Sequence, residues 1–277
     1  MTLEVAWEGA KNMKMVDWFF KTYYVNEDLG FSYSQLGQEN SFAPLDLVTP
    51  LKMQVDLLRE KYEGIKFLKM CDAGAAFKEK YAGKTPATAV SALDNWDDED
   101  VQSVYYDCEN YVANIFRHED KLFLRAFYLF DERVKEHYLE SPCTRFDAVY
   151  ENLPIVDTVI WTEGKKDEGL MIDEDAKPFE VQKVGDSSLL VKTKEGEKKA
   201  LFTEEKVEIY GEKLKYLPKN PKAAIKVEGN AVNYEYQGME YALETANAEV
   251  SVCRECGAIV IKRIDCAKPI ELIPRRK

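Results

Sequence analysis

The sequence predicts two architectures in one chain: an α/β part over residues 1–95, built like the last units of a partial β/α barrel, and an all-β, sandwich-like region over residues 96–277. Three observations carry this. Up to residue 84, segments with helical spacing alternate with short apolar runs. An acidic stretch, "SALDNWDDEDVQ" (91–102), then breaks the texture. Beyond it, aromatic and branched residues recur at period two between Gly, Asp and Asn turns.

In "AKNMKMVDWFFKTYYVNE" (10–27), Met13, Val16, Phe20 and Tyr23 or Tyr24 fall at helical spacing, which predicts an amphipathic helix. Gly30 ends it, and "FSYS" (31–34), with Phe31 and Tyr33 alternating with serines, is expected as a strand. Thr49 is placed to N-cap a second helix with Pro50 at its first position, and Leu51, Val55 and Leu58 line one face until Gly64 stops it. "IKFLKM" (65–70) reads as a short buried strand, and "DAGAAFKEKYAGK" (72–84) as a helix closed by Gly83. Helix, strand, helix, strand, helix is the order of βα units around a parallel sheet, in which ligands bind at the carboxyl ends of strands.

After the acidic stretch, "VQSVYYD", "YVANIFRHED" and "KLFLRAFYLFDERV" read as strands, with a turn at His118-Glu119-Asp120. From residue 178, runs such as "FEVQKVG", "SLLVKTKEG", "AVNYEYQG" and "GAIVIKRI" give an all-β pattern, most simply a sandwich. The charged segment "EGKKDEGLMIDEDAKP" (163–178) is the natural seam within this region.

With 277 residues, 45% hydrophobic and 32% charged, the chain has the composition of a soluble globular protein. Its twelve excess negative charges argue against a nucleic-acid partner, since the basic residues cluster only at Arg275-Arg276-Lys277. Neither a membrane-length apolar run nor a cationic, then apolar, leader is present in the sequence. The six cysteines, at 71, 108, 143, 253, 256 and 266, are scattered, so reduced thiols and a cytoplasmic location are expected, with export open if the chain is a fragment of a longer protein.

The strongest candidate site is the strand-end set Gln38, Glu39 and Asp72, joined by Trp7 and Glu8 if "LEVAW" is an earlier strand. Paired carboxylates are what glycosyl transfer requires, so Glu39 and Asp72 are the candidate catalytic pair, with Gln38, Trp7 and Asn40 as substrate-binding residues. The plainer reading is that Glu39 and Asn40 hydrogen-bond loop backbone and Asp72 caps its helix. "CRECG" (253–257) resembles one zinc knuckle, but a closed site needs two more ligands and only Cys266 is nearby; His118 and His137 are far upstream. A hairpin turning at Arg254-Glu255 with the cysteines packed inside is the more economical reading, so neither metal nor cofactor is expected. "DNWDDED" (94–100) lacks the Gly and Glu of a calcium loop and reads as a solvated acidic linker. Arg117, Arg125 and Arg133, eight apart among aromatics, fit a sheet with paired acids such as Asp131 and Glu132.

The block "GFSYSQLGQENSF…TPLKMQVDLLREKY…KFLKMCDAGAAFKEKY…KTPATAV", followed by "VQSVYYDCENYVANIF" and "ENLPIVDTVIW", resembles the C-terminal half of bacterial proteins grouped with glycoside hydrolase/deacetylase-type β/α barrels, over roughly residues 1–165. The resemblance implies a late barrel strand with a polar Gln-Glu end, and a β-rich domain packed on the barrel. Two departures stand against it: the early Asp and the His-x-x-x-His pair of the deacetylases are missing, and the βα pattern ends near residue 95, whereas a whole barrel takes about 250 residues. It therefore implies the C-terminal portion of a longer protein or a degenerate relative. The expected function is a carbohydrate-active protein, part of a barrel enzyme acting on a glycan through Glu39 and Asp72. The alternative is a non-catalytic carbohydrate-binding or assembly module in which the aromatic-rich β region does the work.

Overall fold

Antiparallel pairing organises the chain. The computed structural model describes residues 11–25, 27–34, 44–135, 137–142, 144, 153–157, 169–218, 223–236 and 238–277. Among the described residues, three α-helices lie near the N-terminus: α1 (Met13–Phe20), which continues into a π-helical turn at Lys21–Val25, α2 (Pro44–Lys61) and α3 (Met70–Tyr81). The strands begin with β1 (Glu27–Leu29), β2 (Thr88–Ala92), β3 (Val101–Asp107), β4 (Tyr111–His118), β5 (Lys121–Leu129), β6 (Leu153–Asp157) and β7 (Leu170–Asp173). Then come β8 (Phe179–Val184), β9 (Ser188–Thr193), β10 (Lys198–Phe202), β11 (Val207–Ile209) and β12 (Lys213–Tyr216). The chain closes with β13 (Ala224–Glu228), β14 (Ala231–Tyr236), β15 (Met239–Ala246), β16 (Ala248–Val252), β17 (Ile259–Arg263) and β18 (Ile270–Arg276).

Among the described residues the strands form two sheets. Ten strands run in the order β1-β2-β3-β4-β5-β7-β12-β17-β16, with β6 also on β5, and eight in the order β13-β14-β15-β18-β11-β10-β9-β8. Chain crossings between the sheets after β7, β11, β12, β15 and β17 interlock them. One apolar core joins both, running from Leu29 and Ala89 through Tyr106, Tyr111 and Phe127 to Phe202, Tyr234 and Leu272. Period-two burial explains the strands. In β3, Gln102, Val104 and Tyr106 point inward between more exposed neighbours, and the Tyr106 ring stacks on Phe202 of β10 at 5.2 Å. Buried tyrosine hydroxyls find backbone acceptors, Tyr106 at Ser187 (2.7 Å) and Tyr111 at Thr203 (2.6 Å).

The partial β/α barrel expected over residues 1–95 is not what forms; the fold is β-sandwich-like and antiparallel. Residues 31–34 and 65–69 are irregular rather than strands, and Phe67, Leu68 and Met70 are exposed. The first described strand is β1, which pairs antiparallel with β2 (Glu27↔Val90, Leu29↔Ala89), so residues on both sides of the acidic stretch share one sheet. The helices also differ from βα crossovers. α1 and α2 make a small core of their own from Val16, Phe19, Phe20 and Leu58, and α3 buries no residue, touching Phe31 through Phe77 and Tyr81. α2 begins at Pro44, so Pro50 lies inside it rather than at its first position.

The acidic stretch joins β2 to β3 and reaches the helical layer. Asp94 takes Lys21 at 2.9 Å and its carbonyl accepts the Trp18 indole N–H at 2.9 Å, while Asp98 takes Lys14 at 3.0 Å. These exposed ion pairs are worth at most about 1 kcal/mol each. None of the described helices is long and apolar enough to cross a membrane.

Candidate functional site

A cleft of about 410 Å³ opens where β7 and β12 of the ten-stranded sheet approach β10 and the segment after β11 of the other. The sequence builds it locally. Alternation along β7 buries Leu170 and Ile172 and leaves Met171 and Asp173 half-exposed, facing the cleft. On β10 the register with β9 slips between Lys198 and Ala200, and this irregularity puts Lys199 and Ala200 both inward. Gly211 keeps the wall close, since a β-carbon there would lie 3.1 Å from the Ile172 carbonyl oxygen.

Lys199 is the centre of the site. Its side chain is only 9% exposed, and Nζ donates to Asp173 Oδ2 at 2.7 Å and to Glu197 Oε1 at 2.8 Å. Burial alone would lower the lysine's pKa, but the two carboxylates outweigh it and the net shift is upward. For Asp173 burial pushes up, and the bonds from Lys199 and from the Asp175 and Glu174 backbone bring the net value below the usual carboxylate range. Both groups are therefore ionised at neutral pH. Tyr210 forms an aromatic wall: its backbone N–H donates to the Lys199 carbonyl at 2.9 Å, its hydroxyl donates to Glu208 at 3.0 Å, and Lys198 Nζ lies 5.5 Å from its ring centre. Burial, then Glu208, pushes its phenol up to about 12, so it stays a neutral donor and acceptor. Glu174, Glu212, Lys213 and Lys215 complete the rim.

Trp7, Glu8, Gln38, Glu39 and Asn40 lie outside the described residues. Asp72 sits in the first turn of the exposed helix α3, where its charge complements the helix N-terminus, and its Oδ1 is 3.6 Å from Cys71 Sγ. The structure thus places Asp72 in the helical layer, while the cleft is made by residues 171–215. The arginines at eight-residue spacing are all engaged: Arg117 with Asp100, Arg133 with Asp131, and Arg125 over the Phe116 ring at 4.6 Å. Among the described residues, no three His, Cys, Asp or Glu side chains group as a metal site. The sequence signal for the cleft is faint, a Glu197-x-Lys199 pair at strand spacing and an aromatic-glycine step at Tyr210-Gly211. Only the inter-sheet pairing brings Asp173 to them.

No family model matches the chain, and no curated protein or solved structure matches it.

Proposed function

We propose that the chain is a non-catalytic β-sandwich binding module that holds a polyhydroxylated ligand, a carbohydrate, in the Lys199 cleft. The observation that carries this reading is the fixed, ionised group Asp173, Lys199 and Glu197 beside the Tyr210 ring in a cleft of about 410 Å³, a volume within the usual range for small-molecule sites. Sugars offer hydroxyl groups that donate to carboxylates and accept from ammonium groups, and apolar faces that pack on aromatic rings. This reading takes up the carbohydrate-binding alternative rather than the enzyme. Strand-end carboxylates of a barrel play no part in it, and Asp173, held below the usual carboxylate range, is no general acid at neutral pH.

The test is a screen of the full chain against immobilised glycans, followed by titration calorimetry of the hits. Binding in the millimolar range, about −4 kcal/mol for one sugar unit, is expected. A screen without a hit, or hits whose affinity is unchanged in Tyr210→Ala and Asp173→Asn, would reject the reading.

A further inference from the structure

The hairpin between β16 and β17 closes through "CRECG" (253–257), and among the described residues β16 is the last strand of the ten-stranded sheet. The Cys253 N–H donates to the Ala258 carbonyl at 2.8 Å and the Gly257 N–H donates to the Cys253 carbonyl at 2.8 Å, so residues 253–257 wind into one turn of helical type. Gly257 closes it at φ +69, with open space where a β-carbon would stand, so the glycine serves the backbone conformation. In such a turn, residues three apart hold their Cα atoms about 5 Å from each other. That lies inside the range of roughly 4.4–6.8 Å that a disulfide spans. The cysteines do not pack inside as expected. Cys253 is half-buried and Cys256 is exposed.

The other described cysteines are placed differently. Cys108 is buried, its Sγ donates to the Tyr111 carbonyl at 3.5 Å, and burial pushes its thiol up to about 11. Cys71 lies on α3 in the helical layer, and Cys266 follows β17 at the far end of the hairpin. The register pairs Ala248 with Arg263 and Val252 with Ile259, so four residues of strand, about 13 Å, separate that end from the turn. Cys253 and Cys256 are thus the two thiols that one turn of backbone holds within bonding reach. The Cys256 thiol donates to the Cys253 sulfur, as do the backbone N–H groups of Cys256 and Glu255, and with a smaller pull from Lys215 they hold the Cys253 thiol below its ordinary pKa. Hydrogen bonds aimed at a sulfur favour its thiolate, the nucleophile of thiol–disulfide exchange.

We propose that Cys253 and Cys256 are a reversible modification site, a dithiol that closes into an intramolecular disulfide by exchange with a low-molecular-weight disulfide, with glutathione disulfide as the reference oxidant. Arg254, Glu255 and Cys256 are all exposed, so such an oxidant reaches the turn from solvent. The Cys253 thiolate attacks one sulfur of the oxidant, whose S–S bond breaks, and one glutathione thiolate leaves with the electron pair. Cys256, its proton given to solvent, then attacks the Cys253 sulfur of the mixed disulfide and displaces the second glutathione thiolate. Two protein thiols thereby lose two electrons and two protons, and the oxidant takes them up as two molecules of glutathione. The preset Cα separation lets the new bond close within the turn, without moving β16 or β17.

The experiment exposes the full, reduced chain to glutathione disulfide at neutral pH with chelator present, quenches it with an alkylating reagent, and follows the Cys253–Cys256 bridge by peptide mass spectrometry, beside the same chain unfolded in urea. The bridge is expected to form at least about tenfold faster in the folded chain, to disappear on addition of dithiothreitol, and to leave Cys108 reduced. Cys256→Ser accumulates a stable mixed disulfide on Cys253 with its thermal unfolding close to the parent's, and Cys266→Ser forms the bridge at the parent's rate. The proposal is overturned if the bridge forms no faster in the folded chain than in urea, if glutathione accumulates on the two cysteines without their closing, or if Cys253 stays unreacted in the folded chain.

Discussion

Arg117, 4% exposed, donates two parallel hydrogen bonds to Asp100, Nη1 to Oδ1 at 2.6 Å and Nη2 to Oδ2 at 3.0 Å. Its Nε also donates to the Ala176 carbonyl at 3.2 Å, so one guanidinium ties the acidic β2–β3 connection to the segment leaving β7. Breaking a fully buried pair costs about 3–5 kcal/mol. Asp100 is 61% exposed, and solvent screening reduces the expected cost of Asp100→Asn to about 1–2 kcal/mol. Arg117→Ala also empties packed volume and orphans the Ala176 carbonyl, and is expected to cost about 2–4 kcal/mol. Urea unfolding checks both, with lower midpoints at unchanged slope expected.

Tyr216 of β12 and Tyr234 of β14 meet hydroxyl to hydroxyl at 2.5 Å inside the core, one strand from each sheet. Replacing one leaves the other's hydroxyl buried without its partner. Tyr216→Phe is expected to cost about 1–3 kcal/mol, and the double Phe variant less than the sum of the two single changes. A double-mutant cycle in denaturant reads the coupling; additive costs would show that the hydroxyls do not interact.

Acid stability follows from three carboxylates. Hydrogen bonds from Arg133 hold Asp131 at about 2, those from Arg117 lower Asp100, and in Asp173 burial is outweighed by Lys199. Each folded value lies below the ordinary 3.8, so each contribution is present above that value and lost as pH falls through the folded one. Stability is expected to decline as pH drops from about 4 toward about 2. Asp131→Asn flattens that decline when melting temperature is followed against pH, and an unchanged slope would show that the carboxylate is unpaired in solution.

Gly30 turns at φ +75 where a β-carbon would lie 2.6 Å from the Ala87 carbonyl oxygen. Gly30→Ala combines left-handed backbone strain with a backbone clash and is expected to cost about 2 kcal/mol or more. Gly229, also at positive φ but with open space around it, pays only the strain, so Gly229→Ala is expected to cost about 1 kcal/mol. Thermal unfolding of the two variants separates them.

The strands beyond residue 96 were legible because period-two burial and turn residues speak for themselves: "AVNYEYQG" is β14, with Val232, Tyr234 and Tyr236 buried in alternation. The N-terminal part was not. "IKFLKM" has the apolar content of a buried strand, but residues 65–69 stay irregular and Met70 opens α3, with only Ile65 packed against the helical core, and a run of six residues carries too little periodicity to show this. "TAVSA", which becomes β2, is short and small, and its partners Glu27 and Leu29 lie some sixty residues upstream. The cleft was hidden for a related reason. Asp173, Glu197, Lys199 and Tyr210 come from neighbourhoods that read separately as a charged seam and ordinary strands, and their meeting depends on which strands go to which sheet.

Calorimetric titration of the full chain with the best glycan of an array screen, beside Tyr210→Ala and Asp173→Asn, decides whether the Lys199 cleft holds a carbohydrate. Millimolar or tighter binding to the unaltered chain is expected, with a loss of at least about tenfold in each variant, about 1.4 kcal/mol; Asp173→Asn also lowers the melting temperature by breaking the Lys199 pair, so both titrations are run well below its unfolding transition. Undiminished affinity in both variants, or heat of binding for no glycan at all, would contradict it.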